Sequence, residues 1–85
     1  MEHVIIAFRS RAHTIEFANF LKRNGVAMEI VNTPKEAGVG CGLSVKVKKQ
    51  SYNFCKSAVL KLALSSFAGF FLLTSFGKEQ AVRRI

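Results

Sequence analysis

Eighty-five residues with 49% apolar and 11% aromatic content make one domain, residues 1–85, with a modest core; this excludes a disordered chain and a deep substrate pocket beside that core. Thirteen Lys and Arg against five acids leave a formal charge of +8, which draws a chain toward nucleic acid, anionic membrane or an acidic protein surface without choosing among them. Two cysteines with no CxxC and no Cys/His cluster exclude a disulfide framework and a zinc site, so no metal, reduced thiols and a cytoplasmic home are expected.

The N-terminus, MEHVIIAFRSR, has an acid at position 2, a short apolar run and no small-residue cleavage site, so no signal peptide is expected. VIIAF, residues 4–8, reads as a central strand covered on both faces. Ser10 then caps a helix from Arg11 to about Asn24 with Ile15, Ala18 and Leu21 along one side, and Gly25 ends it. VAMEIV, residues 26–31, reads as a second strand, stopped by the NTP that contains Pro34.

LSVKVKK gives a third strand, with Leu43, Val45 and Val47 on one face and Ser44, Lys46 and Lys48 on the other. Ser51 opens a second helix on which Cys55, Ala58, Val59 and Leu62 make one apolar stripe, placing Cys55 in the core. FAGFFLLTSF suits a fourth strand, and GKEQAVRRI, about residues 77–85, closes the chain as a polar tail. The order βαββαβ predicts a ferredoxin-like split βαβ sandwich, two helices on one face of a four-stranded antiparallel sheet. The fifteen uncharged residues from Leu62 to Phe76 would span only about 22 Å as a helix, so no membrane span is expected.

Cys41 lies in AGVGCGLS, where Gly38, Gly40 and Gly42 are free to adopt positive φ, so backbone N–H groups could converge on the sulfur or on an anion beside it. Lys35, Lys46 and Lys48 would favour its thiolate, the nucleophilic form. The competing reading is a glycine-rich connection in which the cysteine is incidental. His3 and His13 have no cysteine or carboxylate at motif spacing, so no base for a Cys/His hydrolase is indicated. The lysine face of the third strand carries no aromatic ring, so nucleic acid would bind only through salt-sensitive phosphate attraction and is not expected as the partner.

The short opening strand, the helix ending LKRNGV, the strand running into NTPKEAGVGCGLSVKV and the second helix together resemble the small bacterial selenium/sulfur carrier-like family, found alone or fused behind a TusA-like sulfur carrier domain. The specific part of the resemblance falls on Pro34, Lys35, Cys41, Gly42 and Leu43. Family members usually carry arginine at the position of Lys35, so the charge is kept and the bidentate fork is lost. The resemblance implies a carrier rather than a turnover enzyme, without a cofactor. The cargo would be sulfur or selenium; sulfane sulfur would rest on Cys41 as a persulfide, taken from a donor such as a cysteine desulfurase and passed to an acceptor protein.

Two rival readings stand beside it: a basic scaffold or nucleic-acid-binding module with a structural Cys41, and a thiol redox regulator that pairs Cys41 with Cys55. The first and last strands are apolar on both faces, which predicts an exposed apolar patch on the open sheet face and a homodimer, or docking to an acidic partner, through it.

Overall fold

The computed structural model describes residues 1–38 and 41–85. The apolar run near the N-terminus forms β1 (Glu2–Phe8), buried along its whole second half. Ser10 caps α1 (Arg11–Arg23) by accepting the His13 N–H at 3.2 Å. At the other end, Gly25 N–H donates to Lys22 C=O at 3.1 Å and Val26 N–H to Leu21 C=O at 3.0 Å, the paired bonds that close a helix. The buried stripe is Thr14, Phe17, Ala18 and Leu21, the i, i+3, i+4, i+7 positions, whereas Ile15 is 42% exposed. Ile15 was expected on that stripe; the helix is rotated so that Phe17 fills the core instead.

β2 (Met28–Asn32) and β3 (Leu43–Lys48) pair antiparallel, and β3 pairs antiparallel with β1. α2 (Tyr52–Leu62) follows a turn at Lys49–Ser51 and ends where Ala63 takes a left-handed conformation. The uncharged run is thereby divided between α2 and β4 (Phe67–Phe76), and no helix among the described residues is long and apolar enough to cross a membrane.

The expected four-stranded βαββαβ sheet is overturned. The sheet has five strands in the order β2-β3-β1-β4-β5, because the presumed polar tail forms β5 (Glu79–Arg84), paired antiparallel with β4 from Phe76↔Glu79 to Phe71↔Arg84. Gly77, at φ 64, takes the first position of the two-residue turn between them, where a type II′ hairpin needs positive φ. Few apolar side chains in this strand reflect its place at the sheet edge.

Both helices lie on one face. Val4, Ile6 and Phe8 point to that side and pack with Phe17, Ala18 and Leu21 of α1 and with Cys55 and Ala58 of α2. Ile5 and Ala7 point to the opposite side, where they cluster with Ala68, Phe71 and Leu73. Among the described residues the exposed patch expected there is not found: Ile5 and Ala7 are 0% exposed, Phe71 3% and Leu73 7%. Ala37, in the short Lys35–Ala37 turn, packs on this cluster together with Val31 and Val82, and the same turn contacts β5. The Arg84 guanidinium adds cover, donating to Ala68 C=O at 3.1 Å and lying 4.9 Å from the Phe71 ring centre. The helix-free face is therefore a second, smaller core.

Candidate functional site

Cys41 stands just ahead of β3, beside the C-terminal end of β1 and the first turns of α1. Its backbone N–H donates to Phe8 C=O at 3.2 Å, which ties the residue to the central strand. Eight residues earlier, Thr33 N–H donates to Gly42 C=O at 2.9 Å and the Thr33 and Ser44 hydroxyls meet at 2.7 Å, so both ends of the segment bearing the cysteine are fixed to the sheet. Gly38, at φ 64, and Gly42, at φ 97, adopt the left-handed conformations that side-chain-bearing residues avoid. Gly40 lies outside the described residues.

The Cys41 side chain is exposed, and among the described residues its sulfur has two polar neighbours. The thiol donates to Leu43 C=O at 3.6 Å, and the Thr14 hydroxyl lies 3.8 Å from Sγ. Thr14, itself fully buried, donates to Ser10 C=O at 3.2 Å or Leu43 C=O at 3.4 Å. Its single proton can thus turn toward a carbonyl or toward the sulfur. Once Sγ is deprotonated, it needs a donor: Leu43 C=O cannot supply one, whereas the Thr14 hydroxyl can. Sequence reasoning missed Thr14 because 27 residues separate it from Cys41. Its place on the buried stripe of α1, a polar residue among Phe17, Ala18 and Leu21, was the available signal.

The lysines named with Cys41 do not gather round it. Lys35 is exposed at the start of the turn that leads toward the cysteine. Lys46 and Lys48 lie three and five residues beyond Leu43 along β3, about 10 and 17 Å at the rise of a strand. Lys46 is paired with Glu29 at 3.4 Å, and Lys48 stands opposite His3 at the far end of the sheet. There, burial and then the positive charge of Lys46 hold the His3 imidazole below its ordinary value. The Lys49 ammonium, at 2.8 Å, lowers the Glu2 carboxyl through its hydrogen bond and charge.

Cys55 is a different kind of thiol. It is 0% exposed in the core under the helices, and burial pushes it up to about 11. His13 caps neither sulfur; its Nδ1 lies 2.6 Å from the Ser66 hydroxyl, a link between the start of α1 and the chain just after α2. Among the described residues no cluster of His, Cys, Asp and Glu could hold a metal ion.

Cys41 is thus an exposed thiol held at the end of the central strand, next to a left-handed glycine. The family model described as Putative Se/S carrier protein-like matches residues 3–64, from β1 through the end of α2, and the chain belongs to that family. No curated protein and no solved structure matches it.

Proposed function

We propose that the protein carries sulfane sulfur, or selenium in the same manner, on Cys41 and passes it between partner proteins. The observation that carries this reading is the contrast between the two thiols: Cys41 is exposed on an anchored backbone, whereas Cys55 is sealed in the core. Membership of a selenium/sulfur carrier-like family agrees with it.

In the loading step the Cys41 thiolate attacks the outer sulfur of a donor persulfide. A new S–S bond forms at Cys41, the donor's S–S bond breaks and the donor leaves as its thiolate, so no outside oxidant or reductant is consumed. Unloading repeats the exchange, with an acceptor thiolate attacking the terminal sulfur and Cys41 departing as the thiolate. Thr14 donates a hydrogen bond to Sγ in both thiolate states, and Gly42, without a side chain, leaves the approach to the sulfur open. Lys35 lies on the same segment, where its exposed ammonium would meet an anionic partner surface. A redox pair with Cys55 would require that residue to leave the core, which argues for the carrier over the regulator.

Cyanide tests the reading because it strips sulfane sulfur as thiocyanate. After loading from a low-molecular-weight persulfide and desalting, the protein should release about one equivalent of thiocyanate. Undiminished release from Cys41→Ser would refute the assignment.

A further inference from the structure

The outer surface of the helical layer is unlike the sheet face. α1 and α2 run antiparallel, joined near the start of α1 by the contact of His13 with Ser66. Toward the end of α1 they part around a groove of about 110 Å³ lined by Phe20, Asn24, Phe54, Ser57, Ala58 and Lys61. The Phe20 and Phe54 rings stack across it with centres 6.3 Å apart, and Phe54 is 41% exposed. A large ring left in water at the rim of a cleft costs hydration free energy that a partner's apolar side chain would recover.

The charge around this groove is one-sided. α1 carries Arg11, Lys22 and Arg23 against Glu16, and α2 carries Lys56 and Lys61 with no acid. The ion pairs formed among the described residues, Lys46 with Glu29 and Lys49 with Glu2, both lie off the helices. Lys61 lines the groove, its Nζ 6.0 Å from the Phe20 ring centre, and Arg23 follows Phe20 by one helical turn. A bilayer is a poor match. The other strongly exposed apolar residue of α2, Leu60, follows Phe54 by six residues and so points about 120° away from it, which leaves no continuous apolar stripe to lie in a membrane surface.

We propose that the α1–α2 groove docks an acidic amphipathic helix of a partner protein, one apolar side chain entering beside Phe20 and Phe54 and its carboxylates meeting Lys61 and Arg23. Helix-in-groove recognition needs this combination of a concave apolar seat and charged rim. The groove lies near Asn24, whereas the sulfur contacts Thr14 close to the start of α1. Six to ten residues of helix separate Thr14 from Phe20 and Asn24, about 9 to 15 Å, so the groove and the sulfur are separate places along α1. The docking surface is independent of what Cys41 carries.

The test uses a synthetic helical peptide of about 18 residues with leucines on one face and glutamates on the other, and its counterpart with lysine replacing glutamate. Anisotropy of the labelled acidic peptide should show saturable binding that weakens with salt, and backbone amide shifts should concentrate on Phe20, Asn24 and Phe54–Lys61. Phe54→Ser and Lys61→Glu should each weaken it about tenfold or more, Lys61→Glu being a surface change that leaves the fold alone. Cys41→Ser should bind as the parent does, which separates this proposal from the carrier reading. Absent saturation, equal binding of the basic peptide, tighter binding of anionic vesicles or single-stranded RNA at the same residues, or self-association through this face would overturn it.

Discussion

Iodoacetamide added to the native protein is expected to modify Cys41 and to leave Cys55 untouched on the same timescale. Burial pushes the Cys55 thiol from 9.0 to about 11, which alone cuts its thiolate population about a hundredfold at any pH below the ordinary value. With 0% of its surface exposed, reagent reaches the sulfur only after the core opens, and in the opened state the thiol titrates normally. Protection then equals the opening equilibrium. For opening on the scale of global unfolding, about 5 kcal/mol in a small domain, that is a factor of about 5,000. Quenched aliquots digested and analysed by mass spectrometry give both rates side by side. In rising urea the logarithm of the Cys55 rate should climb linearly while Cys41 stays nearly flat, because only the former depends on unfolding. Equal native rates, or Cys55 reacting first, would refute the reasoning.

Thr14→Val should slow Cys41 alkylation at fixed pH by about fivefold, the worth of one hydrogen bond of roughly 1 kcal/mol, while Thr14→Ser restores the rate; no change in either variant would remove Thr14 from the site. Leu73→Ala should cost about 2 to 4 kcal/mol in urea unfolding, since the helix-free face is a core, against about 0.5 kcal/mol or less if that face were open to solvent. The folded-state His3 imidazole titrates below its ordinary 6.5, so the unfolded chain binds more protons as pH falls through that region. Its contribution is intact above 6.5 and is lost on acidification toward the folded-state value, and a His3→Gln variant should show a flatter urea midpoint across that window. An unchanged slope would show that His3 is not responsible.

The helix from Arg11, the alternating strand from Leu43 and the phenylalanine-rich strand at Phe67–Phe76 were legible because each carries its own period or its own cap. Residues 79–84 were not. An edge strand is polar for good reason, and Val82 is the only residue there that reports a core; the usable clue was Gly77, which reads as a tail's first residue until β4 is seen to need a partner. The site was half legible. Cys41 and its glycines announce themselves in the chain, whereas Thr14 reaches the sulfur only through the packing of α1 against β3. Nearness in sequence also misled: Lys46 and Lys48 follow Cys41 closely, but an extended strand carries them away from it faster than any other regular structure would.

The carrier reading meets its most direct test in intact-protein mass spectrometry after incubation with a cysteine desulfurase and cysteine. A gain of one sulfur atom, removed by dithiothreitol, located on the Cys41 peptide and absent from a folded Cys41→Ser variant, is the expected result. No gain while the same desulfurase delivers sulfur to a reference thiol acceptor, or a gain that persists in Cys41→Ser, would contradict it.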